Sequence, residues 1–228
     1  MSHNPRALDV AKKLVSAVIA ALEHRDRISD IHNFDPVGSS ITRVILSLLE
    51  QFPALTNLHL GASFSMPSLV LPETFLGGYA PRLRSFSLHF IAFPSFPEFV
   101  LRATHIVTIH LFGMPSSEYV SISPEVVATC LAALPDLEAL SIRFELPPLS
   151  PLQTTLPSMP LLFPSLTYFL FVGVSEYLED LIARLDTPLL DRLRIGFSTD
   201  FTASPLTPLN STSSSVAHNA SGRSIMQR

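Results

Sequence analysis

A phrase of the form Pro-x-Leu-x-x-Leu-x-Leu recurs along this chain, and a recurrence of that kind restricts the fold more than any single residue does. Five copies are close to the full pattern: Pro53-Ala-Leu55-Thr-Asn-Leu58-His-Leu60, Pro81-Arg-Leu83-Arg-Ser-Phe86-Ser-Leu88, Pro135-Asp-Leu137-Glu-Ala-Leu140-Ser-Ile142, Pro164-Ser-Leu166-Thr-Tyr-Phe169-Leu-Phe171 and Pro188-Leu-Leu190-Asp-Arg-Leu193-Arg-Ile195. Two weaker copies fill the gaps. Asp26 opens one, with Ile28 and Ile31 in register and Asn33 in the last apolar place, and Thr104 opens the other, with Ile106, Ile109 and Leu111. Openings at 26, 53, 81, 104, 135, 164 and 188 give steps of 27, 28, 23, 31, 29 and 24, a mean of 27 residues.

A step of roughly 20 to 29 residues is that of a leucine-rich repeat, in which each unit supplies a short strand and a return segment. Such units touch only their neighbours and stack into one continuous object. The expected fold is therefore an α/β leucine-rich-repeat solenoid, with a curved parallel sheet on the concave side and helices and turns on the convex side. Three regions are expected: an N-terminal capping helix within 1–25, an array of about seven units over 26–197, and a tail over 198–228. In that tail 12 of 31 residues are Ser or Thr and the apolar residues have no period, which predicts disorder.

Helical returns are written in three- and four-residue apolar spacing. Leu8, Ala11, Val15, Val18, Ile19 and Leu22 predict a helix over 7–24, and Ile41, Val44, Ile45, Leu48, Leu49 and Phe52 predict another over 41–52. Ser123 and Pro124 form a cap and first-turn pair before Val126, Val127, Cys130, Leu131 and Leu134, and Ser175 stands likewise before Tyr177, Leu178, Leu181, Ile182 and Leu185. The proline that opens each strand phrase ends the return and occupies a strand's first residue, where its missing N–H does no harm. Segments 66–79 and 147–163 are broken by proline or glycine, predicting turns in place of full helices and, in the second, a projecting loop.

Charge narrows the partners. A net charge of -4 gives no basic field for nucleic acid or an anionic membrane. The longest stretch free of Asp, Glu, Lys and Arg, 146–175, contains six prolines, and the apolar run 14–22 has nine residues, against about 20 for a membrane-spanning helix. The single cysteine, Cys130, permits no internal disulfide, which favours a cytoplasmic or nuclear setting.

Residues between the apolar positions of each phrase point away from the core, because side chains alternate faces along a strand. They make a row: Asp30 and His32, Asn57 and His59, Ser85, Ser87 and His89, Thr108 and His110, Ala139, Ser141 and Arg143, Tyr168 and Leu170, Arg192 and Arg194. Imidazoles and small hydroxyls come first, an apolar patch follows, and guanidinium groups end it. Such a row is the candidate surface for a protein partner with acidic or hydrogen-bonding groups and an apolar anchor near Tyr168. Aromatic and arginine side chains are the usual energetic centres of interfaces.

Nothing announces a reaction. There is no Gly-x-Ser-x-Gly elbow, no Gly-rich phosphate loop and no His-Glu-x-x-His. Cys130 lies within an apolar stripe, as a core thiol does. His32 and His59 would lie on adjacent strands, yet two imidazoles fall short of the four ligands of a structural zinc. Neither a cofactor nor a metal is expected.

The repeat strands, together with Phe163-Pro-Ser-Leu166-Thr and the stretch from Val174 to Leu193, resemble the leucine-rich-repeat region of the large F-box family of mushroom-forming fungi. The likeness covers about residues 24–196. It implies a substrate receptor of a cullin-type ubiquitin ligase, in which an F-box binds the ligase adaptor and the repeats bind the protein to be modified. The family's F-box, a Leu-Pro-containing helical module before the repeats, has no counterpart here, so the adaptor contact is not carried over. The alternative expectation is a truncated or remnant repeat fragment without independent binding.

Overall fold

The computed structural model describes residues 16–35, 41–62, 69–114, 123–144 and 159–197. Within them the chain is an α/β protein. Helix α1 occupies 16–22 and leads to strand β1 (Asp30–Asp35). Helix α2 (Ile41–Ser47) follows, then β2 (Asn57–Ala62), the two-residue β3 (Leu69–Val70) and a 3₁₀ turn at Phe75–Gly78. Next come β4 (Ser85–His89), β5 (Ile91–Ala92), α3 (Phe96–Arg102) and β6 (Thr108–Met114). Helix α4 (Pro124–Leu131), β7 (Ala139–Phe144), β8 (Leu161–Leu162), β9 (Tyr168–Gly173), α5 (Ser175–Ile182), β10 (Leu185–Asp186) and β11 (Arg192–Phe197) complete the order.

Seven strands, one from each phrase, form a single sheet in the order β1-β2-β4-β6-β7-β9-β11, with every neighbouring pair parallel. Each long strand thus lies beside the next one in the chain. Pairs β3–β5 and β8–β10 make two further parallel ribbons within the returns. The phrase explains the sheet. Its two strand apolar positions, Leu58 and Leu60, Phe86 and Leu88, Ile109 and Leu111, Leu140 and Ile142, Phe169 and Phe171, are all buried, and they share one cluster with the inner faces of the helices.

A hydrogen-bond pattern ties one phrase to the next. The carbonyl of Ser29 accepts the N–H groups of Thr56 and Asn57; Thr56 accepts Arg84 and Ser85; Arg84 accepts Val107 and Thr108. Val107 accepts Glu138 and Ala139, Glu138 accepts Thr167 and Tyr168, and Thr167 accepts Asp191 and Arg192, all at 2.7–3.1 Å. Because these are backbone groups, the join is the same whichever side chain stands there. Thr56 and Thr167 add hydroxyl bonds to the same carbonyls, at 2.9 and 3.2 Å.

The returns differ in part from expectation. Helix α4 begins as predicted: the Ser123 hydroxyl accepts the Val126 N–H and Pro124 follows it. Helix α5 is present over Ser175–Ile182, but Ser175 is its first residue, the cap position falls on Val174, and the Ser175 hydroxyl bonds Glu176. Helix α2 ends at Ser47, so only the first part of 41–52 is α-helical. Residues 16–22 are helical, as expected for the C-terminal part of 7–24; residues 7–15 lie outside the described residues. The described part of segment 66–79, residues 69–79, supplies β3 and the 3₁₀ turn and no α-helix, as the segment's glycines and prolines indicated. Most of the projecting loop expected at 147–163, and the whole tail 198–228, lie outside the described residues.

Helix α3 has no precedent in the sequence reading. Pro97 lies at its start, Glu98 in its first turn and Arg102 in its last, a charge order that suits the helix dipole. Its inner face belongs to a phenylalanine cluster in which Phe99 lies 5.4 Å from both Phe86 and Phe93, and Phe86 lies 6.2 Å from Phe96. In β6, Gly113 has a φ of 62°, which accompanies a shift of register between Phe112 and Met114. A Cβ at Gly113 would overlap the ring of Phe90, itself at φ 56°.

Candidate functional site

Strand register turns the sequence row into two ordered files across the sheet. Asp30, Asn57, Ser85, Thr108, Ala139, Tyr168 and Arg192 are successive partners in one file. His32, His59, Ser87, His110, Ser141, Leu170 and Arg194 are successive partners in the next. The residues of the row singled out from the sequence, Asp30, His32, Asn57, His59, Ser85, Ser87, His89, Thr108, His110, Ala139, Ser141, Arg143, Tyr168, Leu170, Arg192 and Arg194, all lie on the face opposite the apolar core positions. A third file, Gly61, His89, Phe112, Arg143, Val172 and Gly196, continues the same face beyond the phrase.

The face is not uniformly open. Ser87 is 4% exposed and Ser141 2%, because short hydroxymethyl groups stand between taller neighbours in their file: His59 and His110 for one, His110 and Leu170 for the other. These two serines are floor, whereas Arg143, Arg192 and Arg194 are exposed and Tyr168 and Leu170 partly so. Asp30 is engaged within the first rung: it accepts hydrogen bonds from Ser29 Oγ at 2.6 Å and from Asn57 Nδ2. Those bonds hold its carboxyl below the ordinary range.

Four imidazoles and one phenyl ring meet over β1 to β6. His32 and His59 stack at 5.8 Å, His59 and His89 lie 4.7 Å apart, His89 and Phe112 4.8 Å, and His110 stacks on Phe112 at 5.8 Å. Burial pushes His89 down to about 4, with like-charge repulsion from His59 and His110 adding to it. His59 and His110 are lowered for the same first reason, partial burial. With His59, His89 and His110 all lowered, the centre of this end is an uncharged aromatic and hydroxyl surface at neutral pH, edged by the Asp30 carboxylate. The other end is cationic. Arg143 and Arg194 form no ion pair among the described residues, and Arg192 meets its own neighbour Asp191 at 3.5 Å in an exposed contact of little strength.

Among the described residues no group of three or more His, Cys, Asp and Glu is placed to hold a metal ion, the imidazoles included. Cys130 is buried, donates to the Val127 carbonyl at 3.3 Å, and is pushed up to about 12 by burial, so it is a thiol with no access to solvent. No helix among the described residues is long and apolar enough to cross a membrane.

The third file was only half legible. His89 and Arg143 belong to it and were read; Phe112 and Val172 hold the same place, one residue past the last apolar position of their phrases, and were not. Continuing the two-residue alternation one step further finds them. Comparison of the chain with protein-family models, with curated proteins and with solved structures finds no match.

Proposed function

We propose that the seven-stranded sheet is the concave face of a leucine-rich-repeat solenoid and that it recognises a protein partner, in the manner of the substrate-recognition repeats of F-box ubiquitin-ligase receptors. The observation that carries this reading is the unbroken register of the two files: seven phrases of differing sequence deliver their variable residues to one face, in line, while the fixed strand residues of the five central phrases form the core. A binding surface needs that division; an enzyme would need a converging set of reactive groups. The same reading places the chain in the cytoplasm or nucleus, with the adaptor-binding half of a ligase supplied by another segment or chain. The anchor is Tyr168 with Leu170, flanked by Arg143, Arg192 and Arg194, and the matching partner presents carboxylates around an apolar side chain.

The test is a comparison of the full chain with its Tyr168→Ala/Arg192→Ala/Arg194→Ala variant. Proteins captured by the first are purified and titrated against both by calorimetry. At least about a tenfold loss of affinity, some 1.4 kcal/mol, is expected; partners that bind both forms equally would sink the reading. A second reading, a repeat fragment needing further cover before it binds, draws on the exposure of Leu189, Leu193, Ile195 and Phe197. A non-cooperative melt of the purified chain by circular dichroism would favour it.

A further inference from the structure

β11 has properties that the files across the sheet do not use. It pairs with β9 alone, so its other edge has no strand beside it among the described residues. The N–H of Arg192 donates to the Thr167 carbonyl at 2.9 Å, toward β9. Backbone groups alternate sides along a strand, so Leu193 and Ile195 aim their N–H and C=O groups at the open edge. Their side chains are 49% and 43% exposed, although their register partners Phe169 and Phe171 are 2% and 0% exposed. Arg192 and Arg194, on the opposite face, are exposed. Unpaired backbone groups, half-covered apolar side chains and guanidinium groups thus coincide on one strand, each on its own side.

We propose that the free edge of β11 takes up an extended segment of another protein as an eighth strand, and that this segment alternates acidic with apolar residues. Its carboxylates lie beside Arg192 and Arg194, and its apolar side chains cover Leu193 and Ile195. Main-chain hydrogen bonds supply the affinity of such an addition and alternate side chains supply its selectivity. Charge argues against the two other occupants. A second copy pairing antiparallel through the same strand would set guanidinium groups opposite one another, which is destabilising. Segment 198–228 of the chain itself carries one carboxylate, Asp200, against Arg223 and Arg228. The proposal shares Arg192 and Arg194 with the partner at Tyr168 but does not need Tyr168 itself, because its main-chain bonds are made at the edge of the sheet.

The probe is a short fluorescein-labelled peptide alternating Glu with Val and Leu, titrated by anisotropy against the full chain. Two controls are a peptide of identical composition with its glutamates in one block and a peptide with Lys in place of Glu. Saturable binding of the alternating acidic peptide, at least about tenfold tighter than either control, is expected. Ile195→Pro removes an N–H that faces outward and trims the apolar side chain beside it, and proline is tolerated there on an edge strand; this variant keeps the circular dichroism spectrum and loses the peptide. Arg194→Glu transfers the preference to the Lys peptide. Equal binding of the alternating and block peptides, undiminished binding by Ile195→Pro, loss of binding in Tyr168→Ala alone, or no saturation with any peptide would each overturn the proposal.

Discussion

His89 shows how much one side chain inherits from its place in the sheet. It lies between His59 and Phe112, and partial burial there holds its folded-state value at about 4, well below the 6.5 of an ordinary imidazole. Above pH 6.5 neither folded nor unfolded chain carries the proton, and this contribution to stability is whole. Between 6.5 and 4 the unfolded chain takes up a proton that the folded one refuses, so stability falls as pH falls. Denaturant midpoints measured across that window should decline toward acid, and His89→Gln should flatten the decline; an unchanged slope would mean that the site is solvated. The imidazole row was visible in the sequence as alternate residues of the phrases. Its central contact was not, because His89 approaches His59 diagonally, one file over, and a one-dimensional pattern records a strand's alternation but not which diagonal neighbour a ring leans toward. The burial of Ser87 and Ser141 escaped for the same reason: it is set by the height of neighbours on other strands.

Helices α4 and α3 mark what local signals can and cannot say. For α4 the signal was complete: Ser123 caps, Pro124 begins, and Val127, Cys130 and Leu131 repeat on the buried side. Ser123→Ala should cost about 1 kcal/mol, read as a lower thermal midpoint with an unchanged fold; no change would mean that the hydroxyl bond to Val126 has no weight. Helix α3 sits in the shortest step of the array, 81 to 104, where Pro94 and Pro97 resemble breaks. Pro97 instead lies at the start of the helix, and the element is held by rings from β4 and its own inner face, a tertiary cause that periodicity does not carry. At the far end of the array, α5 buries Arg184, 1% exposed, against Asp180 at 3.1 Å, one helical turn apart.

Across the whole described sheet, order in space follows order in the chain, and that was legible because it needs only a repeated phrase at a near-constant step. The orientation of every strand and the face taken by the residues within each phrase followed from it. The irregular returns did not, since proline and glycine state where a helix stops without stating what replaces it. Each seam is the same pair of bonds onto one carbonyl, so the sheet should open in sequence instead of all at once. Amide exchange followed by mass spectrometry should be slowest in β4, β6 and β7 and faster toward β11, whose outer edge is bare; uniform protection would show a single cooperative block. The recurring seam also has a mechanical meaning. A load applied across the stacked strands meets one small and nearly identical resistance after another, so the protein should lengthen by peeling, strand by strand from its bare edge, as a zip does, where a sheet with mixed strand order would hold and then rupture.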